Sequence, residues 1–289
     1  MKLGIFSHCT IDEIKIGDSV YETPGGPACY CGLAARNMGF DVELATKFGG
    51  DFKFAEQLLK NKIVFENISS RKPTTRFRLE INDIDRVLWL KNFCDEIDYR
   101  KISADGILIS PVFNEVPKSV FEKIKNDSEF VFLDPQGFLR RIAADKKIYF
   151  ERTEVDLSKI TGLKSDPNEI YNLTGLEGVH GVLVLQKKVK YVLYTNKRDV
   201  SLFYNNKQYS IRLPNMDVYD TSGVGDIFTA TFCCTLLKEK DILWALSFAG
   251  GAAQAALDSK EIGLNKVPPR AATETNAGYF YNTIKFTDV

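Results

Sequence analysis

The 289-residue sequence is poor in the residues that build metal centres. It has two histidines, and its six cysteines, at 9, 29, 31, 94, 233 and 234, form no Cys-x-x-Cys pair. That excludes a structural zinc site, whose ligands recur at short fixed spacings, and the thiols are expected to be reduced and packed as small hydrophobes. The sequence also lacks a surplus of either charge, with 38 Lys and Arg against 38 Asp and Glu. A balanced chain carries no broad electrostatic footprint for nucleic acid or an anionic membrane, although a phosphate group needs only a few aimed donors. No run approaches the roughly 20 apolar residues of a membrane span. Asp12-Glu13 arrives before a signal-peptide core could form. The expectation is a cytoplasmic protein with neither nucleic acid nor membrane as partner. Low-complexity linkers and internal repeats are missing too, so residues 1–289 read as one domain.

What is present is core material. Hydrophobic residues make up 44% and aromatics 12%, enough for a chain of this length to bury roughly three-quarters of its unfolded surface. Short β-branched and aromatic runs at 3–7, 42–48, 106–110, 130–133, 182–185 and 191–194 alternate with helical patterns at 27–38, 118–125 and 156–161. Such alternation specifies a mainly parallel sheet with helices on both faces, a three-layer α/β sandwich. Two stretches break it. Residues 13–24, turning at Gly17-Asp18, and 72–92 are extended and charged, with too few apolar residues for a core of their own. They are expected to form a small β-sheet lid over one edge of the main sheet. Residues 241–258 are apolar nearly all round a helical wheel, which marks a buried helix. Glycine there costs about 1 kcal/mol against alanine, so Gly250-Gly251 implies close approach of either a packing neighbour or a nucleotide base.

The segment richest in chemistry is Asp220-Thr-Ser-Gly-Val-Gly-Asp226, followed by an apolar helical run at 227–237. Two glycines let consecutive amides point into one concavity ahead of a helix N-terminus, an anion site that needs no net positive charge. It suits a phosphoryl group in transfer, with the amides of Ser222, Gly223, Val224 and Gly225 as the anion hole. Asp226 in the first turn could accept the proton of an attacking hydroxyl. The bland alternative is an ordinary helix cap.

This string resembles the C-terminal signature of the PfkB, or ribokinase-like, carbohydrate kinases, whose last aspartate is the catalytic base. Gly25-Gly26 before a helix and Lys47-Phe-Gly-Gly-Asp51 after a strand resemble that family's first signature. Asp12 matches the aspartate with which its members bind substrate hydroxyls. The motifs run in order over nearly the whole chain. The resemblance implies a ribokinase-like fold, ATP carried with Mg2+, and room for a monovalent cation. It also implies a state of monomer or lid-mediated homodimer. By the same resemblance Thr221, Gly223, Gly225, Gly250 and Lys187 are expected at the nucleotide. Three departures stand out. Tyr30 sits where the family commonly has asparagine. The Asn-x-x-Glu motif is read as Thr153-Glu-Val-Asp156, giving Thr153 and Asp156 as metal-side groups acting through water. A glycine-containing nucleotide turn is replaced by Leu185-Gln-Lys-Lys-Val-Lys190, read as a hairpin.

Within the family, residues 27–30, Pro73-Thr-Thr-Arg-Phe, Asp85-Arg-Val-Leu, Cys94-Asp-Glu-Ile and Asp134-Pro-Gln-Gly-Phe-Leu-Arg140 look most like the myo-inositol kinase branch. An uncharged polyol requires acceptors and amide-like partners. Asp12, Gln136, Arg140 and the close backbone of Gly25 and Gly26 supply them. The expected activity is therefore phosphoryl transfer from ATP to a hydroxyl of a small polyol or sugar, with myo-inositol first. A nucleoside or hexose kinase is the alternative within the family. A non-catalytic ligand sensor is the alternative from another class.

Overall fold

The computed structural model describes residues 1–66, 68–82, 85–216 and 218–289. In chain order the strands are β1 Lys2–Phe6, β2 Thr10–Ile16, β3 Ser19–Gly25, β4 Asp41–Ala45, β5 Ile63–Phe65, β6 Arg76–Asn82, β7 Asp85–Asn92, β8 Gly106–Ile109, β9 Val131–Leu133, β10 Arg140–Ile142, β11 Ile148–Phe150, β12 Gly162–Ser165, β13 Tyr191–Asn196, β14 Asp199–Tyr204, β15 Lys207–Arg212 and β16 Lys285–Asp288. The helices are α1 Gly26–Asn37, α2 Ala55–Lys60, α3 Lys118–Ile124, α4 Gln136–Leu139, α5 Pro167–Thr174, α6 Gly178–Gln186, α7 Val224–Glu239, α8 Ile242–Asp258 and α9 Arg270–Thr283.

The central sheet has the order β16-β15-β14-β13-β12-β9-β8-β1-β4-β5. From β13 to β5 all neighbours are parallel, and β14, β15 and β16 extend the sheet antiparallel. Side chains alternate across it: Phe132 joins the core under α1, α7, α8 and α9, while Val131 and Leu133 join the one under α3, α5 and α6. A burial of both faces is what makes these strands read as short continuous apolar runs.

The lid is a separate four-stranded sheet, β3-β2-β6-β7. It starts at Thr10, slightly earlier than its charge pattern suggests, and residues 83 and 84 of the expected segment lie outside the described residues. Its apolar face is completed from the main domain. Ile14, Phe77, Leu79 and Leu90 pack with Val112, and Phe113, Ile148 and Ile262 cover the margin.

Two sequence expectations are corrected here. Residues 182–185 are not a strand but the centre of α6. Gly181, Val182, Leu185 and, past the helix end, Val189 are buried, a helical spacing that a short apolar run hides. A Cβ on Gly181 would come 2.4 Å from Ile170, so glycine is what lets α6 lie against α5. Residues 156–161 are not a helix. Asp156 Oδ1 accepts from the Ser158 amide at 2.9 Å, and Lys159 has φ +62°, so the chain turns directly into β12.

Candidate active site

The parallel strands end at one edge of the sheet, where the chain must turn and side chains from distant segments converge. After β1 the chain enters β2 and carries Asp12 beneath the lid, where Thr10 Oγ1 donates to its Oδ1 at 2.7 Å. Two glycines make room for that carboxylate. A Cβ on Gly25 would lie 2.0 Å from Asp12 Oδ2, and Gly26, at φ +76°, would place one 2.7 Å from the His8 carbonyl oxygen. Pro27 at the start of α1 then sets the helix direction. His8 itself is buried, held between Thr75 Oγ1 and the Asp95 carbonyl, both at 2.9 Å. Burial lowers its pKa, so the neutral ring ties the lid to the sheet.

Beyond β9, α4 presents Gln136 and leads into Arg140. Arg140 donates from Nη2 to Gln136 Oε1 at 2.6 Å and from Nη1 to the Val112 carbonyl at 3.0 Å. With its oxygen engaged this way, Gln136 presents its amide hydrogens as donors. β12 brings Lys164, whose Nζ lies 3.4 Å from Asp134 Oδ2 and 3.6 Å from Glu169 Oε2. Burial alone would lower the Lys164 pKa, but Asp134, Glu169, Asp166 and Asp226 outweigh it and push it up. Burial pushes the Glu169 carboxyl up, against the pull of Lys164.

The glycine-rich turn closes the site. Gly223 is the N-cap of α7 at φ +66°, and Asp226 stands inside the first turn, so Asp226 is not the cap. A Cβ on Gly223 would meet the Tyr30 ring at 2.3 Å. That ring is the floor of the turn, and its hydroxyl is 3.0 Å from Ser222 Oγ. The first-turn amides of α7 have no acceptors within the helix and sit at its positive end.

Two cavities meet at this turn. One, of about 110 Å³, is lined by Asp12, Gly26, Tyr30, Gln136, Arg140, Lys164, Thr221, Ser222, Gly223, Gly225 and Asp226, and is roofed by Phe77, Leu79 and Leu88 of the lid. The other, of about 570 Å³, reaches past Asp166–Glu169 and the exposed Lys147 and Lys197 to Val200, Leu213, Val224, Phe228 and Ala253. Leu88, Gln136, Arg140, Lys164, Thr221 and Gly225 line both.

A family model described as pfkB family carbohydrate kinase matches residues 6–268. The chain belongs to that family. The fold is shared with solved kinases at low identity. One is a pyrophosphate-dependent myo-inositol-1 kinase converted by two substitutions to leucine into a myo-inositol-3 kinase: TM-score 0.82, 20% identity, 96% of this chain and 99% of that one. Another is a pyrophosphate-dependent kinase complexed with a pyrophosphate analog and myo-inositol: TM-score 0.82, 19% identity, 94% and 99%. A third is Arabidopsis thaliana ribokinase complexed with ribose and ATP: TM-score 0.75, 18% identity, 96% and 98%. No curated protein matches the chain.

For this PfkB member the structure moves several expected site residues. Ser222 does not offer its amide to an anion, because that N–H donates to Asp220 Oδ1 at 2.7 Å. The amides left to face an anion are those of Gly223 and Gly225, with the Val224 N–H held only by a long 3.5 Å bond to the Thr221 carbonyl. Gly250 faces Ile211, 2.4 Å from where a Cβ would sit, and Gly251 faces the Thr273 carbonyl at 2.5 Å; the pair serves helix packing, not a base. Lys187 caps the end of α6, ahead of β13 and so at the opposite edge of the sheet. No hairpin forms there. Thr153 and Asp156 line a different hollow, with Thr153 bonded to Arg141 and Asp156 to Lys125.

The segment that stands beside the larger cavity is instead Asp166-Pro-Asn-Glu169, directly after β12. Asp166 Oδ1 accepts from the Glu169 amide at 2.9 Å and Glu169 Oε2 accepts from the Asp166 amide at 2.8 Å, a reciprocal capping box with proline at the first helical position. That pattern was readable in the sequence. Lys164 had no such signal, since a lone lysine in a strand carries none. Lys47-Phe-Gly-Gly-Asp51 turns out to fasten the lid, with Asp51 Oδ1 accepting from the Thr74 amide at 2.8 Å and its hydroxyl at 2.6 Å.

Among the described residues no group of three or more His, Cys, Asp and Glu side chains could hold a metal. The residues fit a magnesium ion that arrives on donor phosphates, with Asp166 and Glu169 beside the donor cavity, rather than one caged by protein alone. No helix among the described residues is long and apolar enough to cross a membrane.

Proposed function

We propose that this chain transfers the γ-phosphoryl group of ATP, carried with magnesium, to a hydroxyl of a small uncharged polyol, with myo-inositol as the first acceptor to test. The observation that carries the reading is the meeting of a small polar cavity and a larger one at the glycine-rich turn, with Thr221 and Gly225 lining both and Asp226 in the wall of the smaller one. The acceptor lies between Asp12 and Asp226, its hydroxyls accepted by Asp12 and donated to by Gln136. Asp226 takes the proton of the attacking hydroxyl, and the amides of Gly223, Val224 and Gly225 receive the transferred group. Lys164 neutralises charge on the donor phosphates from the shared wall. Magnesium supplies further charge neutralisation on those phosphates when bound.

The apolar end of the larger cavity, at Val200, Leu213, Phe228 and Ala253, favours a nucleoside group on the donor. Pyrophosphate, the donor of two of the similar structures, would leave that end unfilled. The acceptor side supports a ring with an apolar face, because Leu79 and Leu88 stand opposite each other in the lid and line the roof. In one similar kinase, leucines introduced at two positions change which inositol hydroxyl is phosphorylated.

The test is a product-release screen of inositols, pentoses, hexoses and nucleosides as acceptors, each with ATP and with pyrophosphate. Turnover is expected with ATP and a cyclic polyol. Turnover with pyrophosphate alone would overturn the donor assignment. Measurable binding of an acceptor without turnover by either donor would favour the sensor reading.

A further inference from the structure

We propose that Lys266 is a tethered monovalent cation for the anion-binding turn, a positioning residue that makes the activity indifferent to added potassium or ammonium. The 3-10 turn Gly263–Lys266 that follows α8 brings this side chain behind the glycine turn. Its Nζ lies 2.9 Å from Asp220 Oδ2, and it donates to the Asp220 carbonyl at 3.0 Å and to Ser222 Oγ at 3.3 Å. Both side chains of the pair are fully buried.

Three oxygens from one turn around one ammonium make a coordination shell, and burying such a charge is tolerable only when they replace its water. The two side chains among them also anchor the turn. The Asp220 carboxylate accepts from the Ser222 amide at 2.7 Å and the Gly263 amide at 3.1 Å, while Ser222 Oγ bonds the Tyr30 hydroxyl. Burial would raise the Asp220 pKa, but Lys266 holds it below the ordinary value. The next residues are Gly223, Val224 and Gly225. A shift of Asp220 or Ser222 therefore moves the amides that face the transferred group, and the buried positive charge stands behind them. Lys266 lines neither cavity, so it acts through the turn and not by touching substrate. Ammonium and potassium ions suit an oxygen shell of this kind, whereas a covalently held ammonium cannot exchange with solvent.

Turnover and sulfate binding, the latter by calorimetry, are measured at constant ionic strength in tetramethylammonium, potassium, ammonium or methylammonium salts. The wild-type protein is expected to show the same values in all four. Lys266→Ala is expected to lose about 100-fold in turnover, as for loss of one preorganised oxyanion donor, and to weaken sulfate binding. Ammonium, methylammonium or potassium should restore roughly 10-fold of that loss, and tetramethylammonium none. If Lys266→Ala is unfolded in tetramethylammonium, the same expectation is read as refolding on adding ammonium. In Asp220→Asn/Lys266→Ala, which leaves no buried charge unpaired, the small cations should restore nothing. Stimulation of the wild type by potassium, a folded Lys266→Ala with normal turnover and sulfate affinity, or a loss that no cation relieves would each overturn the assignment. The turnover arm rests on the kinase reading. If the wild type turns over nothing, that reading fails, and sulfate binding by Lys266→Ala with and without ammonium still decides this one.

Discussion

The two cavities differ in how they are built, and the difference separates selection from supply. The smaller cavity, proposed for the acceptor, is about 110 Å³, lined by the carboxylates of Asp12 and Asp226 and by Leu79 and Leu88 of the lid. Its walls come from the lid, β2 included, and from α1, α4, Lys164 of β12 and the start of α7, so a movement of the lid would change its shape and its access to water. The larger cavity, proposed for the donor, is about 570 Å³ and draws on β12, the β13–β14 turn and α7, with Val87 and Leu88 of the lid and Ile148 and Phe150 of β11 on its other side. Its polar wall is cationic at Lys164, Lys147 and Lys197. On the proposed reading the smaller, more enclosed site selects the acceptor, while the larger one takes the phosphate chain of the donor. The shared wall of Leu88, Gln136, Arg140, Lys164, Thr221 and Gly225 is where the two cavities touch.

Asp226→Asn breaks the comparison most completely, because on the proposed reading Asp226 serves the chemical step rather than the binding of either substrate. Turnover should fall by at least about 100-fold, the low end for loss of a general base. Calorimetric affinities for donor and acceptor should stay near wild type. Near-normal turnover would remove Asp226 from the catalytic role.

Leu79→Asn and Lys197→Ala sharpen the comparison from its two sides. Leu79 is buried in the acceptor roof, and replacing it should raise the acceptor KM roughly 10-fold, the scale of one apolar pocket contact. The donor KM should not move. Lys197 is exposed on the donor rim, so its loss should raise the donor KM only about 3-fold, as expected for a solvent-screened charge. Steady-state kinetics with each substrate varied in turn would show the split. If both variants shift both constants, the cavities are not independent.

The halves of the site were unequally legible in the sequence. Asp12, Gly25-Gly26, Gln136 and the glycine turn are fixed by local needs, such as a carboxylate that leaves no room for a Cβ or a turn at φ +66°, and those needs select residue types. The donor side depends on register. Lys164 matters because β12 lies between β9 and β13, which puts it beside Asp134 from a segment 30 residues earlier. No composition or spacing encodes that adjacency. The misplaced Asn-x-x-Glu motif has the same origin: reading 156–161 as a helix and 182–185 as a strand shifted the middle of the chain by one unit. Lys187 was then assigned to the site edge of the sheet instead of the opposite one. Gly250-Gly251 was a fair signal of close approach, and only the packing of β15 and α9 decides what approaches.

Glu169→Gln carries the smallest expected effect and probes the donor side through its buried charges. Glutamine can still accept from the Asp166 amide, so the capping box is kept. Glu169 is buried, and burial raises its pKa from 4.5 to about 8. The folded state therefore holds a proton that the unfolded chain releases above its own lower pKa. Stability is fullest below about 4.5 on this account and is lost progressively as pH rises toward 8. Glutamine removes that titration. Thermal unfolding midpoints followed from pH 5 to 8 should fall less steeply in Glu169→Gln than in the wild type, with the variant relatively more stable at the alkaline end. Parallel curves would show instead that Lys164 keeps Glu169 ionised throughout. The donor wall would then be a fixed ion-pair cluster with no proton to release.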